Sequence, residues 1–269
     1  MRKYAIVSGL LAAGAGTAGF LLRRSELIRG FEPDTGLPAS GAVSTAALIA
    51  YTVFILAAAA AASAAVKTRF KAKNTYKEAF APSGKHLIFT AAVCAAALVS
   101  GALLYIESQG SEELRVQTAL AALTAVSGIA LFGLAADSLS ERESKLSFVC
   151  AVVPEIFFTL WLLLLYRSNQ TNPVRIEYAF QALAAASAAL ASYFTASFVY
   201  GRSSPVRAVF FHIAAVYFLG TAAADGAALS QKIVFIAFSA YFAVNLGRIV
   251  GGLEAVSPRH LQGSVEKTT

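Results

Sequence analysis

Long apolar blocks alternate with short polar stretches along this chain. Eight blocks occur, at about 4–22, 41–66, 86–106, 116–139, 147–166, 176–200, 208–225 and 233–252. Each is close to the ~20 residues needed to cross a hydrocarbon core about 30 Å thick. The apolar residues fill whole blocks rather than one amphipathic stripe, as in helices buried or bathed in lipid. The connections carry the chain breakers: Pro33, Pro38, Pro82, Pro173, Pro205 and Pro258 lie between blocks, and Pro154 lies inside one. The pattern predicts an all-α polytopic membrane helix bundle of about eight spans. Residues 1–269 form a single integral membrane domain, because no connection is long enough for a separate soluble one.

Composition supports this reading. The chain is 57% hydrophobic and only 14% charged, against about 25% charged in soluble domains, and its mean hydropathy is +0.64. The net charge of +7 does not imply nucleic acid, because most basic residues sit between apolar blocks. Fifteen Lys and Arg fall on the side that carries both termini and seven on the other. The positive-inside rule then places both termini in the cytoplasm, in a plasma (cytoplasmic) membrane. Arg23 and Arg24 oppose that bias locally. Cys94 and Cys150 lie in or beside spans and form no paired motif, so they are packing residues.

The blocks differ in kind. The first resembles a secretory signal in its basic start and small residues, but its apolar part is long, which favours a retained helix. Residues 55–66 and 182–192 are mostly alanine, which lets helices approach closely, so spans two and six are expected at the centre. The fifth span, with Leu162 to Leu165, is expected to face lipid, with Trp161, Tyr166 and Arg167 as interface anchors. Tyr193-Phe194 before Gly201-Arg202, and Tyr241-Phe242 before Gly247-Arg248, form a faint repeat.

Pro154 and Glu155 interrupt the fifth span. Proline lacks an N–H and crowds the carbonyl of Cys150, which predicts a kink. Glu155 lies roughly 12 Å deep at 1.5 Å per residue. An unpaired acid at such depth costs on the order of 3 kcal/mol, so it is expected to face protein or water. His212, Asn245 and Tyr193 lie in the same half of their spans. Tyr241, Asn245 and Arg248, spaced by four and three, share one helix face. Together these predict an intramembrane polar site in which Glu155 exchanges a proton or holds a cation, His212 relays charge and Arg248 offsets it. Polar groups that only hold helices together account for the same residues. Glu107, Asp137, Glu177 and Asp225 lie at span ends, where interfacial water explains them.

Loop 67–85 carries Lys67, Arg69, Lys71, Lys73, Lys77 and Lys85 with Phe70, Tyr76 and Phe80 interleaved. It predicts a surface for anionic lipid or a cytoplasmic partner, or simply an inside loop. Ser83-Gly84-Lys85 lacks the rest of a phosphate-binding loop. Ala125 stands where a rhomboid-type serine motif, here Ser127 with His212, needs glycine. Lys232 is too near a span edge for a retinal site, and no metal signature or cofactor site appears. The expected partners are the lipid bilayer, a small solute or proton, and a cytoplasmic protein at loop 67–85. Three functions remain open: a small-solute or ion transporter, a non-transporting partner, sensor or assembly protein, and an intramembrane enzyme.

Overall fold

The computed structural model describes residues 2–32, 37, 39, 41–71, 75–80, 83–109, 114–140, 145–170, 176–225 and 228–255. Its helices are α1 (Arg2–Arg29), α2 (Val43–Arg69), α3 (Tyr76–Phe80), α4 (Gly84–Glu107), α5 (Leu114–Leu139), α6 (Lys145–Ser168), α7 (Ile176–Val199), α8 (Pro205–Ala222) and α9 (Leu229–Gly252). Two short strands, β1 (Phe70–Lys71) and β2 (Glu254–Ala255), pair antiparallel. Every helix except α3 supplies a segment long and apolar enough to cross a membrane. The protein is therefore a multi-pass helical membrane protein. In lipid the backbone has no water to bond, so such segments satisfy their N–H and C=O groups within one helix.

Local signals set the helix ends. Pro205 opens α8, where its missing N–H costs nothing. Gly201 follows the end of α7 with φ +65, a left-handed conformation that glycine adopts freely. Arg202 N then donates to Ser197 O at 2.8 Å and Gly201 N to Phe198 O at 3.3 Å, the paired bonds of a Schellman ending.

The helix α8 is the axis of the bundle, with α1, α2, α7 and α9 packed around it. Of its membrane window 67% is buried, and α9 follows with 61%. Close approach of α1 and α8 rests on glycine. A Cβ built on Gly220 would lie 2.9 Å from Gly16 Cα, so neither position has room for a side chain. Helices without a water-driven hydrophobic force associate through such contacts.

The expectation that span two is central is overturned. Only 22% of the α2 window is buried, and Ala57, Ala58, Ala60, Ala61, Ala62 and Ala64 are exposed. Only a narrow stripe, including Leu48, Ile55, Ala59, Ser63 and Val66, is buried. Alanine permits close packing but does not require it. Span six, now α7, does lie inside, with Ala184, Ala185, Ala188 and Ala191 buried. In α6, Leu163 and Tyr166 face outward as expected, but Trp161 is 3% exposed and stacks on Phe235 at 5.2 Å. It is a core ring, not an interface anchor. Together with Phe157, Phe158, Phe238 and Phe242 it fills the space between α6 and α9. The two aromatic–Gly–Arg endings also differ: Gly201 ends a helix, whereas Gly247 lies inside one.

Candidate functional site

Glu155 stands apart from the other polar groups. The helix α6 runs unbroken through Pro154, which is buried. Ile156, one step further on, is exposed. Glu155 lies between them, half-buried on the boundary of the lipid-facing side. No hydrogen bond or ion pair forms to its carboxyl among the described residues. Tyr193 is 50% exposed and packs on Phe194, so it too lies outside the buried set. His212 is fully buried. Its Nδ1 lies 2.7 Å from Ala208 O and its Nε2 3.2 Å from Thr195 Oγ1, and its ring meets Phe242 edge-on. The His212 ring thus ties α8 to α7 rather than to Glu155.

The shared face on α9 is present. Tyr241 and Asn245 are buried and Arg248 half-buried, descending toward the end of the bundle that carries both termini. Asn245 lies within reach of Tyr241 one turn away, yet neither of its amide atoms makes a well-formed hydrogen bond. An orphaned buried polar atom costs about 1–3 kcal/mol. His86, at the head of α4, adds a buried Nδ1 with no partner, while Thr90 Oγ1 bonds back to His86 O at 2.8 Å.

The short helix α3 closes over this column. Tyr76 and Phe80 are buried, with ring centroids 4.5 Å apart, and Phe80 packs edge-on to Phe198 of α7. Arg248 Nη2 donates to Phe80 O. Burial pushes the Tyr76 phenol above its usual range; Tyr241 adds to the shift and Arg248 opposes it. Two aromatics of the basic loop, read there as part of a lipid or partner surface or of a plain inside loop, therefore point into the protein.

Beside α3 opens a pocket of about 300 Å³ among the ends of α5, α6 and α7. Lys77, Asp137, Ser138, Ser147, Tyr200 and Tyr76 supply its polar wall, and Phe148, Phe198 and Leu134 its apolar one. Ser147 Oγ donates to Asp137, Lys77 Nζ to Ser140 O at 2.9 Å, and Tyr200 OH to Phe148 O at 3.2 Å. Tyr76 belongs to both the pocket wall and the α9 column.

At the opposite end α1 is tied to the chain that leaves α8, beside a pocket of about 290 Å³ between α1 and α2 lined by Leu22, Ser25, Arg29, Val43, Ser44 and Ala47. Arg23 is fully buried, with Nε 2.7 Å from Asp225 Oδ1 and Nη1 2.6 Å from Glu26 Oε2. Its guanidinium also lies 5.0 Å from the Phe180 ring centroid. Nearby, Ser230 Oγ donates to Glu107 and Ser100 Oγ to Ser230 O at 2.7 Å. Arg23 was read only as a basic residue opposing the charge bias, and Asp225 and Glu107 as interfacial acids. Here they are joined across helices. One signal was available: a basic residue that opposes the charge bias at a span end invites a search for a buried acid.

Of the basic loop, Lys67 and Lys85 are exposed and Lys77 bonds to Ser140. Lys73 and the side chains of Arg69 and Lys71 lie outside the described residues. No family model, curated protein or solved structure matches this chain.

Proposed function

We propose that the protein is a small-solute permease whose site is the terminal-end pocket together with the α9 column of Tyr241, Asn245 and Arg248. The observation that carries this reading is Asn245, a fully buried amide whose oxygen and nitrogen both lack a well-formed hydrogen bond. Buried amides are normally satisfied, and one left open beside Tyr241, which in turn neighbours the pocket residue Tyr76, suits a small polar guest. Alternating access needs one end open while the other is sealed. The pocket beside α3 supports an open end; at the far end a pocket of about 290 Å³ lies between α1 and α2, and the Arg23–Asp225 tie is the contact that would hold the helices together there. The charge bias supports a cytoplasmic position for the open end. The test is a thermal-shift screen of small polar solutes on purified protein, followed by flux of the hits into proteoliposomes. We expect at least one solute to stabilise the protein and to cross, with both effects lost in Asn245→Leu. An Asn245→Leu protein that binds and carries solute like the parent would overturn this reading.

A second reading, a non-transporting partner or assembly protein, is favoured by Glu155. A carboxyl with no hydrogen bond or ion pair among the described residues, beside the lipid-facing side, suits a basic or polar residue on another transmembrane helix. Under that reading Glu155→Leu abolishes co-purification of a membrane partner, whereas flux does not depend on Asn245.

A further inference from the structure

Two opposite charges share the terminal-end pocket without meeting. Lys77 enters from α3 and Asp137 from the end of α5. Both line the same 300 Å³ space, yet no ion pair joins them. Each charge is instead held by a neutral partner. Lys77 Nζ donates to the Ser140 carbonyl, which leaves two of its three N–H donors for other acceptors. Asp137 accepts from Ser147, and a carboxylate keeps further acceptor sites beyond that one. Oppositely charged side chains in one small cavity would ordinarily close on each other. Here each is engaged by a neutral group near the end of α5, and no ion pair joins the two.

The geometry points to a small zwitterion as the ligand of this pocket, with a phosphate turned to Lys77 and a primary ammonium to Asp137. This rests on the reading of the terminal end as the binding end of the protein. A volume near 300 Å³ lies at the small end of ligand pockets and suits a headgroup-sized molecule. Phe148 and Phe198 give it an apolar side, and Tyr200, fixed by its bond to Phe148 O, stands at the rim. The pocket lies at the ends of α5, α6 and α7, and the ends of membrane-spanning helices are where headgroups are met. A phosphoethanolamine unit can arrive there as a free solute or as the head of a lipid, and the chemistry is the same.

The test uses the purified full chain in nanodiscs. Phosphoethanolamine is titrated by calorimetry in phosphatidylcholine discs, and retained lipid is read by native mass spectrometry in discs that also contain phosphatidylethanolamine. We expect binding by at least one route, weakened at least tenfold by Lys77→Met and by Asp137→Asn. Lys77→Arg and Asp137→Glu, which keep the charges, should retain it and guard against misfolding. Phosphocholine, which has no ammonium N–H, should bind more weakly than phosphoethanolamine. Calorimetric binding assigns the free solute, and retention of phosphatidylethanolamine alone assigns the lipid. No binding by either route, or equal binding to the parent and both charge-removing variants, overturns the proposal. Zwitterion binding without flux leaves this inference standing and removes transport. Flux of another solute without zwitterion binding does the reverse.

Discussion

Arg23 Nε and Asp225 Oδ1 lie 2.7 Å apart inside the bundle, joining two positions separated by 202 residues. With Glu26 on the second edge of the guanidinium, the triad ties the end of α1 to the chain that leaves α8. A buried ion pair adds little net stability over an apolar substitute, but breaking one is costly. Arg23→Leu should therefore lower unfolding free energy by about 3–5 kcal/mol, read as a fall in melting temperature in detergent. Neutralising all three positions, with Arg23→Met, Glu26→Gln and Asp225→Asn, should recover most of it. Equal losses in the single and triple variants would show that the charges are not coupled.

Glu155 should behave in the opposite way. Its carboxyl has no partner among the described residues, so its removal strands nothing. Glu155→Leu should raise the stability of the isolated protein by about 1–3 kcal/mol, bounded by the cost of an acid at the centre of a span. Chemical denaturation in mixed micelles measures this. A loss of stability would reveal a partner within the bundle.

The α1–α8 contact admits no added atoms. Gly220→Val should separate the helices and cost about 1–3 kcal/mol or more, as overpacking does. Substitution of exposed Gly14, where nothing lies within 4 Å, should be silent in the same melting assay.

Tyr76 gives the protein an alkaline limit. Burial holds its phenol above the ordinary value of 10.0 in the folded state. The unfolded chain then ionises first. The stabilisation from keeping Tyr76 neutral is complete below pH 10 and is lost as pH rises from there toward the folded value. Melting temperature should fall above pH 10 in the parent and fall less steeply in Tyr76→Phe. Identical slopes would place Tyr76 in water.

The eight spans were legible because lipid demands long apolar runs, and such runs are visible in one dimension. The shared face of Tyr241, Asn245 and Arg248 was legible because helical spacing is local. Neighbour relations were not. Alanine content placed α2 inside, although only a narrow stripe of it is buried, because small residues permit contact without choosing a partner. Glu155 drew attention by its depth, yet depth says nothing about direction around the helix. The folding back of α3, which turns Tyr76 and Phe80 inward, depends on Arg248 and Phe198, far away in the chain. The union of Arg23 with Asp225 depends on how α1 meets α8.

The account turns on whether Asn245 can be reached from water at the terminal end. Asn245→Cys, in a background with Cys94→Ala and Cys150→Ala, can be exposed to a membrane-impermeant thiol reagent on the folded protein, with Thr75→Cys as the exposed control. The account predicts that Asn245→Cys reacts from the terminal side, more slowly than the control. If Thr75→Cys reacts while Asn245→Cys stays unmodified until the protein is denatured, the column is sealed and the permease reading is contradicted.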